Sequence, residues 1–146
     1  MKYTQIIEEF QGEYRWLSNF WIYDDVRGLS VEHHYQAAKA KHYEDYLRIM
    51  SAENAYEAKK IGKSIDHGGM LVVRSNWHDI RLTLMEQFTR VKYATNHGLK
   101  QKLLNTQGML LIEGNKWGDT FWGVCNGVGE NNLGKIIMKV RDEFLA

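Results

Sequence analysis

Residues 76–96, NWHDIRLTLMEQFTRVKYATN, carry the clearest periodic pattern of the chain. Large apolar side chains recur in this stretch at steps of four, four and three residues, a spacing that places them on one face of an α-helix. They are Ile80, Leu84, Phe88 and Val91. We therefore predict one long helix over residues 76–96, the clearest of the chain.

Shorter helical patterns flank this helix. Ser30 is a suitable N-cap for a helix that runs to about Tyr43, and Glu32 in its first turn complements the helix dipole. Further helices are predicted over 45–50, 52–65 and 97–106. The last predicted helix covers 131–146 and would bury three apolar side chains, those of Ile136, Val140 and Phe144.

Strand-like stretches are short. Residues 3–7, 16–23 and 108–114 are rich in β-branched and aromatic side chains, whereas His67, Gly68 and Gly69 break the helical pattern. The predicted fold class is α+β, mostly helical with a small β-sheet. No proline, Ser/Gly-rich linker or internal repeat divides the sequence, so we expect a single domain over residues 1–146.

Composition excludes several classes of protein. The 146 residues are 44% hydrophobic with a net charge of +1, which is typical of a globular protein and not of a polycation. Cys125 is the only cysteine, so no internal disulfide can form and a reducing compartment is expected. The first residues lack the apolar stretch of a signal peptide, and no run reaches the ~18 apolar residues of a membrane helix. We expect a soluble, cytoplasmic protein with no membrane partner.

Residues 30–39, SVEHHYQAAK, place two histidines side by side. On a helix, neighbouring side chains project ~100° apart, so His33 and His34 cannot easily share a metal ion. No other His/Cys cluster has the spacing of metal ligands. We predict no metal site, and we expect both histidines to pack or to form hydrogen bonds.

The same helix carries a polar stripe. A carboxylate, an amide, an amine and a phenol lie on the same side of a helical projection, within about 60° of one another. They belong to Glu32, Gln36, Lys39 and Tyr43. This stripe is either an acid–base site or an exposed face with a salt bridge worth a few tenths of a kcal/mol.

A second unusual stretch is 114–134, GNKWGDTFWGVCNGVGENNLG. Its glycines permit close backbone approach to a ligand, and Trp117 and Trp122 offer faces on which a base can stack. Asn131 and Gly134 lead into a helix N-terminus, a suitable place for phosphate. The alternative is a turn-rich connection held by buried tryptophans. Together with the polar stripe, the segment suggests a pocket for a flat, anionic ligand such as a nucleotide.

An ordered series of motifs gives a family resemblance. RWLSNFW, VEHHYQAAKA, AKKIG, WHDIRLTLMEQFTRVKY, LLNTQGMLLIEGN, DTFWG and GENNLGKIIMKVR follow one another through nearly the whole chain. In this ordered series of motifs the chain resembles the NADAR, or YbiA-like, family. The resemblance implies an N-glycosidase that hydrolyses the bond between a nitrogen and C1′ of a ribose. Some members act on ribosylamino-pyrimidine phosphates of riboflavin synthesis, and others remove ADP-ribose from guanine in nucleic acid.

The resemblance also implies site residues. The catalytic set would be Glu32, Lys39, Asp119 and Trp122. The substrate-binding set, which includes residues singled out above, would be Ser18, Asn19, Phe20, Gln36, Trp117, Gly118, Gly123, Asn131 and Arg141. Asn19 could instead cap a turn, and Arg141 could complement the dipole of the last helix. Many members have glycine at the position of Cys125, so the choice of substrate is open.

The chemistry agrees with these roles. Cleavage of an N-glycosidic bond builds oxocarbenium-like charge, which the Glu32 carboxylate could stabilise while it positions a water. Lys39 could attack C1′ or the opened aldehyde and hold the ribose as a Schiff base, for which partial burial should lower its pKa. We expect no cofactor and no obligate protein partner, and a small nucleotide or ADP-ribosylated nucleic acid as substrate. The alternatives are a non-catalytic ADP-ribose or NAD-binding module and a structural protein.

Overall fold

The computed structural model describes residues 3–63 and 71–146. Its helices are α1 (Val31–Ala38), α2 (Tyr43–Met50), α3 (Ala55–Gly62), α4 (Trp77–Ala94), α5 (His97–Leu104) and α6 (Asn132–Leu145). Its strands are β1 (Ile6–Ile7), β2 (Ile22–Asp24), β3 (Leu29–Ser30), β4 (Leu110–Leu111), β5 (Gly114–Asn115) and β6 (Val124–Cys125). Helices therefore outweigh strands, and the predicted α+β class is confirmed. None of the helices in these ranges has the length and apolarity of a membrane span.

Contacts group the chain into two compact units. Asn19–Phe88 form one, which we call the central unit, and Met1–Ser18 with Thr89–Ala146 form the other, the terminal unit. The single domain over 1–146 stays a prediction.

Short helices built around small residues form the central unit. Ser30 caps α1 as predicted, because its hydroxyl accepts from the His33 backbone N–H at 3.2 Å. The Asn54 side chain caps α3 in the same way. The small side chains of Ala37 on α1 and Ala58 on α3 let α1, α2 and α3 approach closely around the larger apolar side chains of a hydrophobic core. Its buried members are Ala37, Ile49, Ala58 and Leu71.

The terminal unit packs α6 on the short parallel pair β1 and β4. Ile136 and Val140 are buried as predicted, whereas Phe144 is only half-buried near the helix end. Gly134 permits the close approach, because a Cβ there would overlap the Leu111 carbonyl oxygen.

The long helix is confirmed, but none of its four periodic apolar residues is fully buried: Ile80, Leu84 and Phe88 are half-buried. Val91 is 45% exposed, whereas Met85, Thr89 and Lys92 are buried. A stripe of apolar residues could not reveal this face, because a threonine and a lysine are among its buried members. Lys92 is stable there because its Nζ donates to the backbone oxygens of Trp16 at 2.7 Å and Ser18 at 3.0 Å.

The strands differ from the prediction in two respects. Within the part of the chain that the structure describes, they form three separate two-stranded sheets instead of one. Gly12–Leu17 form a 3-10 helix, so the predicted strand over 16–23 begins only at Ile22. Trp16 and Leu17 are buried in that turn, which explains their aromatic and apolar character without a strand. The predicted break at 67–69 lies outside the described residues.

Candidate active site

The polar stripe of α1 is mostly buried. Glu32 is 7% and Gln36 3% exposed, and Gln36 Nε2 donates to Glu32 Oε2 at 2.6 Å. The interpretation of this stripe as an exposed salt-bridged face is therefore wrong. Tyr43 does not belong to it: α1 ends at Ala38, and Tyr43 starts α2 with 70% of its side chain exposed.

Burial dominates the electrostatics of Glu32. Desolvation raises the pKa of its carboxyl, while the bond from Gln36 and the charges of Lys59, Lys39 and Lys63 pull the pKa down. A buried carboxyl surrounded by cations is a common arrangement for an acid–base or charge-stabilising group.

Lys39 follows the last residue of α1 and is half-buried, as predicted. Its Nζ lies 5.4 Å from the centroid of the Tyr35 ring. The centroid of that ring in turn lies 5.0 Å from the ring centroid of Trp77, which is buried. The lysine thus emerges beside a fixed aromatic surface, which limits the positions its amine can reach.

The central unit also contains Asn19 and Phe20. The Asn19 carbonyl accepts from the Glu32 backbone N–H at 3.0 Å, which ties this segment to the start of α1. Its side chain does not cap a turn but lies 3.5 Å from the sulfur of Met85. Lys59 Nζ lies 5.6 Å from the Phe20 ring. Asn19 and Phe20 therefore lie close to groups that act on Glu32.

The two histidines have the structural roles expected of them. The Ser30 N–H donates to His33 Nδ1 at 3.1 Å, and His33 Nε2 lies 3.0 Å from the Ala52 carbonyl, so the proton is on Nε2. His34 bonds to the Tyr23 hydroxyl at 2.7 Å and stacks on Phe88. In the described ranges, no three His, Cys, Asp or Glu side chains gather as metal ligands.

In the terminal unit, Asp119 shapes the tryptophan-rich loop. Its Oδ1 accepts from the backbone N–H groups of Phe121 at 3.1 Å and Trp122 at 2.9 Å. The Asn115 side chain closes the same loop, with Nδ2 donating to the Asp119 carbonyl at 2.8 Å. The Asp119 carboxylate thus fixes the backbone from which the Trp122 ring projects.

The tryptophans of this loop are not core residues. Trp117 is 60% exposed, and Trp122 is half-buried in edge contact with Phe121 at 4.8 Å. The alternative of a connection held by buried tryptophans is therefore wrong. Gly118 has φ of +84°, and a Cβ on Gly123 would overlap the Glu113 carbonyl, so both glycines shape this loop.

Three of the predicted binding residues use their polar groups within the terminal unit. Asn131 bonds through its side chain to the Glu113 N–H and the Leu111 carbonyl, both at 2.9 Å. Arg141 is buried, and its NH1 donates at 2.8 Å to the backbone oxygens at 106 and 109. The backbone oxygen of Ser18 accepts from Lys92. These contacts give structural roles to the Asn131 and Arg141 side chains and to the Ser18 backbone, and the substrate-binding roles of all three stay predictions.

Two residues with buried structural contacts, one in each unit, were missed from sequence. They are Lys92, which holds the turn at 16–18, and Gly62, which faces Gln36. For Lys92, the only available signal was a lysine inside an apolar-periodic helix. Gly62 gives no signal at all, because a glycine at the end of a helix is common.

A family model, the NADAR domain, matches residues 7–145. The chain belongs to the NADAR domain family. The resemblance inferred from the ordered motifs is thereby confirmed.

Named relatives come from plants and bacteria. The chain is 35% identical over 106 residues to the chloroplastic riboflavin biosynthesis protein PYRR of Arabidopsis thaliana, a match that covers 72% of this chain and 18% of that protein. It is 32% identical over 124 residues to the N-glycosidase Npun_R5314 of Nostoc punctiforme, covering 82% and 76%. The NMR structure of the E. coli protein YbiA superposes with a TM-score of 0.82 at 26% identity, covering 99% and 88%. The chain spans about a fifth of the length of the plant relatives it matches.

Proposed function

We propose that this chain is an N-glycosidase that hydrolyses the N–C1′ ribosyl bond of a nucleotide-like substrate. The observation that carries the proposal is the buried Glu32 carboxyl, which receives a hydrogen bond from Gln36 and feels the charges of Lys39, Lys59 and Lys63. A carboxyl is rarely buried unless it is paired or functional. Two groups of relatives, named N-glycosidases and riboflavin biosynthesis proteins, support the same activity.

Glu32 acts in its ionised form. As the N–C1′ bond breaks, positive charge develops on the ribose, and a carboxylate in a poorly solvated site stabilises that charge more strongly than one in water. Gln36 fixes one carboxylate oxygen, which leaves the remaining acceptor positions for a water or a ribose hydroxyl. Burial raises the pKa of Glu32, and the three nearby lysines lower it in part, towards the ionised form that the reaction uses.

Lys39 acts as the nucleophile in its uncharged form. Its amine forms a bond to C1′, the N–C1′ bond breaks, and the leaving base takes the proton that the attacking amine gives up. The nitrogen lone pair then expels the ring oxygen, which takes a proton from solvent, and a protonated Schiff base results. Water adds to C1′ and gives one proton to Glu32. Glu32 returns that proton to the amine nitrogen, the amine leaves, the remaining aldehyde releases a proton to solvent, and the free sugar closes again.

Two substrates are compatible with this chemistry. The relatives named for riboflavin biosynthesis and the net charge of only +1 favour a small ribosylamino-pyrimidine phosphate over ADP-ribosyl-guanine in nucleic acid. The competing function is a non-catalytic ADP-ribose or NAD-binding module. Such a module would use Trp117 and Trp122 without requiring Glu32 and Lys39.

Product analysis separates these alternatives. The protein is incubated with a ribosylated pyrimidine phosphate and, separately, with ADP-ribosylated DNA, and released base is measured by mass spectrometry. Borohydride added during turnover should attach a sugar to Lys39, and the adduct should be absent from Lys39→Met. Lys60→Met, which alters an exposed lysine of α3, is the matched control. Full turnover by Lys39→Met excludes the covalent route, and binding without base release from either substrate supports the module.

A further inference from the structure

The last residue of α3, Gly62, packs directly against the Gln36 side chain on α1. A Cβ on Gly62 would overlap Gln36 Oε1, and it would lie 2.7 Å from Cδ and 3.0 Å from Cβ of the same side chain. The backbone of Gly62 is helical and not left-handed, so glycine is not required for its conformation. A side chain at 62 would instead conflict with the position that Gln36 occupies here.

This contact fixes the direction of the Gln36 amide. Nε2 donates to Glu32 Oε2 at 2.6 Å, so Oε1 must point the other way, towards Gly62. Among the residues that the structure describes, the buried Oε1 has no hydrogen-bond partner. It faces the Cα–H of Gly62, which offers only a weak C–H···O contact. The amide thus has one good position, with its nitrogen on the carboxylate and its oxygen on the glycine.

We propose that Gly62 is a positioning residue for the reaction: the space it leaves holds the Gln36 amide against the Glu32 carboxylate. The proposal rests on the function proposed above for Glu32. Any larger residue at 62 would push the amide aside and break the hydrogen bond to the carboxylate. Gly62 itself would touch no reacting atom.

Loss of that bond changes the titration of Glu32. The Gln36 amide lowers the pKa of Glu32, together with Lys59 and Lys63 from α3 and Lys39 at the end of α1, against the larger opposing effect of burial. Without the amide the pKa rises further, so a smaller fraction of Glu32 is ionised at a given pH. The acidic limb of the kcat/KM profile should therefore move to higher pH.

A double-mutant cycle between Gly62→Ala and Gln36→Ala tests the contact through stability. Alanine is a better helix former than glycine, so it should raise the urea midpoint wherever the new methyl group fits. We expect Gly62→Ala to lower the midpoint when Gln36 is present and to raise it in the Gln36→Ala background. Gly98→Ala on α5 is the matched control, because its Cβ would meet only Asn96 Oδ1, at an ordinary 3.7 Å. It should raise the midpoint in both backgrounds.

The same variants are then assayed for turnover. Gly62→Ala should lower kcat about tenfold or more, the loss that follows from one hydrogen bond to a charged group, with KM nearly unchanged. It should cause no further loss in the Gln36→Ala background. An unchanged pH profile, or the same loss in both backgrounds, overturns the proposal. If Gly62→Ala does not fold alone, recovery of folding by adding Gln36→Ala is the expected rescue, and no recovery overturns the proposal.

Failure of this inference differs from failure of the proposed function. If Glu32→Gln retains full turnover, Glu32 is not catalytic, whatever the stability cycle shows. If Glu32→Gln is inactive and Gly62→Ala has normal kcat, pH profile and stability, the function stands and the role of Gly62 is refuted.

Discussion

Replacement of Lys92 by methionine should remove a specific pH dependence of stability. Lys92 is fully buried in α4, and burial lowers its pKa from 10.5 to about 7. Its two hydrogen bonds go to the carbonyls of Trp16 and Ser18, and an uncharged amine has the two N–H groups that these acceptors need. The native state therefore favours the neutral lysine, whereas the unfolded chain keeps it protonated until far higher pH.

The size of the effect follows from linkage. Between pH 7 and pH 9 the unfolded chain binds more protons at this site than the native protein, so stability rises with pH. With a native pKa of about 7 and an unfolded one of 10.5, the rise over this range is about 2 kcal/mol. Lys92→Met removes this pH-dependent contribution to the free energy of unfolding. It also leaves two carbonyls without their donor, which lowers the free energy of unfolding by about 1–3 kcal/mol each. The diagnostic quantity is therefore the slope with pH and not the stability at one pH.

Guanidinium unfolding at pH 7, 8 and 9, followed by tryptophan fluorescence under reducing conditions, measures this slope. Lys60→Met, at an exposed position on α3, should keep the slope of the wild type. Measurements stop at pH 9 because burial raises the pKa of the neighbouring Tyr93 above 10.0, and that group opposes the trend at higher pH. If Lys92→Met shows the same slope as the wild type, the assignment of a neutral buried lysine is refuted.

Three other perturbations have equally definite outcomes. Glu32→Gln should abolish base release yet raise the stability of the protein at pH 7. Because burial raises the native pKa of Glu32 above 4.5, ionisation of this carboxyl lowers the free energy of unfolding as pH rises, and the glutamine variant avoids that loss; calorimetry and the product assay test the two effects. Because burial lowers the native pKa of His34, stability should fall as pH drops below 6.5, and His34→Gln should flatten this dependence in melting curves at pH 7.5 and 5.5; a parallel loss in wild type and variant would contradict it. Trp122→Ala should raise KM roughly tenfold if its ring stacks on the base, an effect of ~1–3 kcal/mol, whereas Phe121→Leu should not; equal effects would indicate a packing role.

The sequence predicted where the helices lie better than it predicted which partners their side chains contact. Local rules located α1, α4 and α6, because a cap such as Ser30 and an apolar period depend only on neighbouring residues. They failed where tertiary partners decide. The strand-like residues Trp16 and Leu17 pack inside a 3-10 turn, and the carbonyls of that turn bind a lysine 74 or more residues away. No local pattern contains that information.

In the candidate site too, local patterns predicted which residues lie together on α1 but not their tertiary contacts. The stripe from Glu32 through Gln36 to Lys39 followed from helical spacing, but its burial did not, since the same spacing describes an exposed salt bridge equally well. Asn131 and Arg141 show the converse: each is a plausible phosphate ligand by residue type, and each bonds to backbone groups of its own unit. Residue type restricts which chemistry is possible, and only three-dimensional contacts show whether a side chain is still available for it.

That criterion separates two of the buried ionisable groups with shifted pKa values, Lys92 and Glu32. Lys92 meets two carbonyls with the two N–H groups of its neutral form, so the protein satisfies the group completely, as expected of a structural element. From the residues that the structure describes, Glu32 receives one side-chain hydrogen bond, that of Gln36, although an ionised carboxylate can accept about four. Burial raises the pKa of Glu32, and three lysines offset that rise only in part. Ionisation of Glu32 therefore costs stability in the resting protein. A substrate or water that completes its coordination would offset that cost, as expected of a group that stabilises a developing cation.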